Sequence, residues 1–475
     1  MLFNSLAFFI FFPIVTTAYF IVPHSYRWAL LLVASCYFYM SFIPVYILIL
    51  AVTIVIDYVA GILIEDASPG TRKLCLITSI AATCLVLFIF KYYNFFRENI
   101  QILTDFMGVH PALGTLELLL PIGLSFHTFQ SLAYVIEVYR GNQRAERHFG
   151  IYALYVMFYP QLVAGPIERP QNLLHQFREK HEFAYERVRD GMCLMLWGLF
   201  KKVVVADRLS IYVDAVYRNV THHSGPTLTV ATIFFAFQIY CDFSGYSDIA
   251  IGAAKVMGFD LMQNFATPYF SRSITEFWRR WHISLSTWFR DYLYIPLGGN
   301  RLGRVRWYSN VLITFVISGL WHGANWTYIA WGAVNGLYII GAAATAPSRE
   351  WLAMRLKLEK WPRCLEFINI GSTFVLICIA WVFFRARTML DAWRVLTRIV
   401  CDRGPLFTGG ARDLIYGAIG IVIVLSVDIW TGRARFDQTM ATHSLPIRWA
   451  VYCALVMMLL AVGVFNGSQF IYFQF

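Results

Sequence analysis

A chain of 475 residues with 58% hydrophobic and only 14% charged side chains carries far too few charges for a water-soluble globular fold, where about a quarter is usual. Its mean hydropathy of +0.57 points the same way, to an integral membrane protein. The formal charge of +11, from 39 Lys and Arg against 28 Asp and Glu, is scattered over short inter-helix segments. That distribution argues against a nucleic-acid-binding face and fits the basic excess of cytoplasmic loops.

The N-terminal LFNSLAFFIFFPIVTTAYFIV is long enough to cross a bilayer. It has no basic flank or small-residue cleavage site, so it reads as a retained helix rather than a signal peptide. Further apolar stretches fall near 28–46, 43–64, 74–90, 117–137, 150–165, 190–206, 228–256, 308–322, 326–346, 366–384, 411–430 and 447–466. A hydrocarbon core of about 30 Å needs about 20 helical residues, and several stretches are shorter or run together, so roughly eleven to thirteen transmembrane or re-entrant helices are expected. Continuous apolar runs, rather than ten-residue alternation, exclude a membrane barrel. No soluble domain, linker or internal repeat is evident, and residues 1–475 read as a single polytopic all-α domain.

The nine cysteines are dispersed, show no metal-ligand spacing and suggest no disulfide framework, so they read as small buried hydrophobes. The only adjacent histidines, His222 and His223, lie in a polar loop, and no metal site is expected. The text VISG at 316–319 lacks the first glycine of a serine-protease nucleophile motif.

Polar segments occupy 166–190, 271–306 and 346–365. Between the first two, QIYCDFSGYSDIAIG (238–252) sets Asp242, Ser244, Tyr246 and Asp248 in apolar text. Buried carboxylates need partners, and the arginines of 271–306 are the ones the sequence offers. That stretch holds seven arginines against Glu276 and Asp291. Its large apolar residues, from Ile274 through Tyr292, recur at intervals of three and four and predict one helix, ended by Pro296-Leu-Gly-Gly. Arg279, Arg280, His282 and Arg290 fall on the opposite face, the pattern of a helix lying in the interface plane. A dense guanidinium face also suits phosphate oxygens.

His322 stands in ISGLWHGANWTYIAWG, within a run from Trp307 to Ser348 that contains no Asp, Glu, Lys or Arg. An ionisable side chain in membrane-length apolar sequence is a candidate functional site. The small Gly323-Ala324-Asn325 would leave room for a ligand beside the imidazole, with Trp321, Trp326 and Trp331 as rigid walls. Burial disfavours imidazolium and keeps the ring in the form a general base needs.

The runs FWRRWHISLSTWFRDYLYIPLGGNR and GLWHGANWTYIAWG closely resemble the membrane-bound O-acyltransferase family. Agreement extends to LLPIGLSFHTFQSLAYVIEVYRG (118–141), FYPQLVAGPIERP (158–170), QIYCDFSGYSDIAIG and the terminal FIYFQF, over essentially the whole chain. The resemblance is strongest to the bacterial branch that O-acetylates surface polymers such as alginate. It implies a ring of transmembrane helices around a thin centre pierced by a tunnel, with a catalytic core over about 118–346. It also implies His322 as the catalytic residue and His282 on the cytoplasmic side of the same passage.

The implied reaction moves an acetyl group from a cytoplasmic thioester to an extracytoplasmic acceptor at the bacterial inner membrane. Acetyl-CoA would be the donor substrate, with no tightly bound cofactor, and periplasmic partner proteins would finish modification of the polymer. His322 would act as general base and His282 would orient the thioester or its oxyanion, with Arg280 and Asn325 as further candidates. Arg279, Arg280 and Arg304 would meet the donor phosphates. A transporter or flippase would instead show repeat symmetry and paired broken helices, neither of which is evident. A lipid or protein acyltransferase of the same family would use a long-chain donor.

Overall fold

The computed structural model describes residues 1–109, 114–118, 120–465 and 470. Leu119 and, of the terminal FIYFQF, residues 471–475 therefore lie outside the described residues. Among the described residues the secondary structure is helical, without strands. Seven helices among the described residues are long and apolar enough to cross a bilayer: Pro44–Asp66, Pro69–Phe106, Gly225–Val256, Trp326–Ala344, Pro362–Arg385, Ala411–Thr431 and Leu445–Val462.

The remaining expected spans are shorter or interrupted. Leu6–Ile21 and His24–Met40 have 16 and 17 residues. The stretch 150–165 divides into Phe149–Met157 and Tyr159–Leu162, because Phe158 leaves the helical region and Pro160 starts the next turn. The stretch 190–206 runs through a π-helical segment, Phe200–Ala206. Arg304–His322 is 19 residues long and begins in two arginines, so it falls outside the full-length apolar set.

The chain forms two compact units. The first comprises 1–192 with 249–262. Within it the helix Ile47–Asp66 buries Asp57 completely, and its carboxylate accepts from Ser79 Oγ at 2.6 Å and Thr83 Oγ1 at 3.1 Å. Hydroxyls from a neighbouring helix thus satisfy a charge-bearing group that apolar surroundings would otherwise penalise.

The second unit comprises 193–248 with 263–475 and holds both histidines singled out above. Its central hairpin joins Arg304–His322 to Trp326–Ala344 through Gly323–Asn325. Asn325 caps the second helix, its side chain accepting from the Thr327 N–H at 3.0 Å. Glycines bring the two backbones together. A Cβ at Gly319 would stand 2.2 Å from the Tyr328 carbonyl oxygen, and one at Gly332 equally close to that of Phe315. Close approach through small residues is how helices associate in lipid. Gly332→Ala is therefore expected to force the hairpin apart and destabilise the protein by about 1–3 kcal/mol. Thermal unfolding of the purified protein in detergent checks this, and an unchanged midpoint would refute it.

Candidate active site

The single helix expected from Ile274 through Tyr292 is instead broken at Trp281 and His282 into Ile274–Arg280 and Ile283–Phe289. His282 adopts the left-handed region (φ 43°, ψ 56°), which breaks the helix without any glycine or proline to announce it. The break takes His282 off the polar face where helical spacing placed it. The residue is only 1% exposed, with its ring 4.5 Å from the Phe243 ring. Burial pushes its imidazole down to about 3, so the ring is neutral. An interfacial helix with His282 facing water is thereby excluded.

His322 is the last residue of its helix, and 6% of its surface is exposed. Its ring meets those of Trp321 at 4.7 Å, Trp331 at 4.9 Å and Phe384 at 5.2 Å. Trp331 stacks on Trp381 at 5.9 Å, and Trp381 meets Trp281 at 5.1 Å. Aromatic rings therefore run without interruption from His322 to the residue beside His282. Two expectations about this wall change. Trp326 is 54% exposed rather than buried as a wall residue. The space left by Gly323 is filled by the Tyr328 ring, 2.2 Å from where a Cβ would be, so the small residues admit a tyrosine rather than a ligand at that point.

Two clefts lie in the same unit, and neither His282 nor His322 lines either of them. One, of about 580 Å³, is lined mainly by apolar and aromatic groups including Trp278, Phe289, Trp307 and Phe315, with Arg279 and Arg290 at its polar part and Ser318, one turn before His322. The other, of about 450 Å³, gathers Arg272, Arg279, Arg280 and Arg433 around Glu276. Burial alone would raise the Glu276 carboxyl. The Arg272 N–H and the Arg280 and Arg272 guanidiniums outweigh it and hold the group below its usual range.

Arg279 lines both clefts and has no hydrogen-bond or ion-pair partner among the described residues. Arg280 is engaged, with Glu276 at 2.5 Å and the Thr267 carbonyl at 3.3 Å. Arg304 is exposed at the start of its helix and lines neither cleft. Asn325 spends its amide on the helix cap and on the Arg387 carbonyl at 3.3 Å.

The buried carboxylates of 238–252 find lysines, not the arginines expected. Lys202 sits between Asp207 at 2.7 Å and Asp242 at 2.8 Å. Lys201 binds Asp248 at 2.6 Å and donates to Ser244 Oγ at 2.9 Å. Both lysines lie on the π-helical segment Phe200–Ala206, a rare conformation that recurs at functional sites. Gly245 lets the Gly225–Val256 helix close on that segment, since a Cβ there would be 2.7 Å from the Gly198 carbonyl oxygen. Sequence reading passed over this network because the KK pair stood inside what scanned as an apolar stretch. That adjacent pair was the available signal. All nine cysteines are free, but only Cys193 and Cys241 are buried, so the reading of the set as buried hydrophobes fails for the rest.

Residues 147–384 match the membrane-bound O-acyltransferase family. Over 401 residues the chain is 41% identical to a protein named as a probable alginate O-acetylase of Pseudomonas aeruginosa, covering 83% of this chain and 74% of that one. This chain belongs to the membrane-bound O-acyltransferase family. A Helicobacter pylori relative named as a peptidoglycan O-acetyltransferase is 35% identical over 434 residues, covering 84% of this chain and 80% of its own length. A Streptococcus thermophilus relative, named as a teichoic acid D-alanyltransferase, is 29% identical over 296 residues and covers 57% of this chain and 71% of its own. As a family member the protein is an O-acyltransferase and a multi-pass membrane protein. Both histidines and the hairpin fall inside the matched region, whereas Arg433 lies beyond it.

Proposed function

We propose that this O-acyltransferase takes an acetyl group from acetyl-CoA on the cytoplasmic side of the bacterial inner membrane and gives it to a hydroxyl of a surface polysaccharide such as alginate, with periplasmic proteins as partners in finishing the polymer. His322 takes the acceptor hydroxyl proton as the oxygen attacks the thioester carbonyl. His282 faces the carbonyl side and steadies the oxyanion. Collapse breaks the C–S bond, and the proton passes from the His322 imidazolium to the departing thiolate. Preorganised donors aimed at developing charge are worth most in a water-excluded site, and rigid aromatic surroundings of this kind favour them. The continuous ring contacts from His322 to Trp281, beside His282, support two imidazoles serving one passage.

The unpaired Arg279 at the junction of the two clefts is the group best suited to donor phosphates, whereas the capping amide of Asn325 and the paired Arg280 are less available. Labelled acetyl-CoA supplied to the purified protein with alginate oligosaccharide tests the reaction. Label on the sugar and stoichiometric free CoA are expected. An intact thioester would overturn the reading in favour of transport, and a preference for long-chain donors would favour a lipid or protein acyltransferase. Arg279→Glu is expected to raise the KM for acetyl-CoA about 10-fold or more, as for loss of one charge-assisted phosphate contact. Arg304→Glu should leave it unchanged. An unchanged KM in Arg279→Glu would show that this arginine only sets membrane orientation.

A further inference from the structure

His282 is held in the left-handed region by something other than its own sequence. A non-glycine residue there is strained and persists only where the surroundings over-determine it. The group that does so is Asn264, 1% exposed and contributed by the irregular segment before the helix Ile274–Arg280.

Its backbone carbonyl accepts from the Ile283 N–H at 2.9 Å. Its Oδ1 accepts from the Ser284 N–H at 3.2 Å and from Ser284 Oγ at 2.7 Å. Its Nδ2 donates to Ser247 Oγ at 3.2 Å, tying the loop to the helix Gly225–Val256. The two residues after His282 are therefore both clamped by one asparagine. A parallel bond on the other side, from the Ala266 N–H to the Arg280 carbonyl at 3.0 Å, fixes the chain as it enters the turn. The helix that receives the Ser247 bond also presents Phe243, the ring lying against His282, four residues earlier. That same helix is anchored on its far side by Asp242 and Asp248 to Lys202 and Lys201.

We propose that Asn264 is a positioning residue for His282: it fixes the left-handed turn that swings the imidazole from the arginine-lined face into the aromatic wall, and has no contact with substrate of its own. This rests on the donor-side role of His282 argued above. Without the clamp, the segment Ile274–Phe289 has every reason in its own apolar spacing to run on as one helix, which would return His282 to the polar face.

The test is a double-mutant cycle on the purified full-length protein, reading acetyl-CoA turnover with alginate oligosaccharide and thermal unfolding in parallel. Asn264→Ala is expected to lower kcat by about 10- to 100-fold with the KM for acetyl-CoA little changed, as for a misplacement near 1 Å. His282→Ala is expected to lose at least as much, and the double variant no more than His282→Ala alone. Should Asn264→Ala fail to fold, Ser284→Ala removes a single donor to Oδ1 and is expected to give a smaller loss that also vanishes in the His282→Ala background. Independent, multiplying losses would overturn the proposal, because a general structural defect would act equally with or without the histidine. Full activity of Asn264→Ala would overturn it as well. Full activity of His282→Ala alone would overturn the donor-side role itself, a result distinguishable from either.

Discussion

Replacing His322 by alanine is expected to lower acetyl transfer by about 10²- to 10⁴-fold, the usual contribution of a positioned general base. The loss should appear in kcat, because the imidazole is needed only as the acceptor oxygen attacks. His322→Gln makes the sharper experiment. It keeps most of the volume that the rings of Trp321, Trp331 and Phe384 enclose, so the aromatic packing survives while proton transfer does not. Initial rates of label transfer, with thermal unfolding to confirm the fold, decide the matter. Retained activity in the glutamine variant would remove His322 from the chemistry.

The largest stability effect belongs to a residue remote from either histidine motif in sequence. Lys202 is 6% exposed and its ammonium lies between Asp207 and Asp242, each 3% exposed. Lys202→Met keeps the stem but withdraws the charge that two buried carboxylates face. Breaking a buried ion pair from one side costs about 3–5 kcal/mol, much more than an exposed pair is worth. Unfolding in denaturant, followed in the same detergent as the parent, should show that loss. A midpoint equal to the parent's would mean that the carboxylates find other compensation.

Much of this protein could be read before its structure, and the reasons for the rest are physical. Apolar runs of membrane length reveal helices because lipid leaves backbone groups no other way to be satisfied. The two histidines stood out because one occupied text without charge and the other text crowded with it. Helical spacing misjudged His282, however. Periodicity reports what a segment would do alone, and the turn at Trp281–His282 is imposed by hydrogen bonds that Asn264, 18 positions before His282, accepts from Ile283 and Ser284.

The pairing of Asp242 and Asp248 escaped for a related reason. Composition supplied arginines nearby in sequence, whereas packing through Gly245 supplied lysines from an earlier helix. The small residues after His322 were recognised as space, yet what fills that space, the Tyr328 ring, is a matter of hairpin geometry that spacing does not encode. Among the described residues seven helices are full-length and apolar, and the shorter or interrupted ones beside them are of the kind expected as tilted or re-entrant. Hydropathy finds apolar text but not the breaks, such as Phe158, at which a run is divided.

The ring contacts also have an optical consequence. Trp331 and Trp381 lie 5.9 Å apart with their planes only 18° from parallel, and Trp281 is 5.1 Å from Trp381. Indoles fixed this closely in a chiral setting couple their electronic transitions and give near-ultraviolet circular dichroism that disappears once side-chain packing loosens. The stretch between the two imidazoles is thus a built-in chromophore, and the integrity of the site can be followed by light in the unlabelled protein.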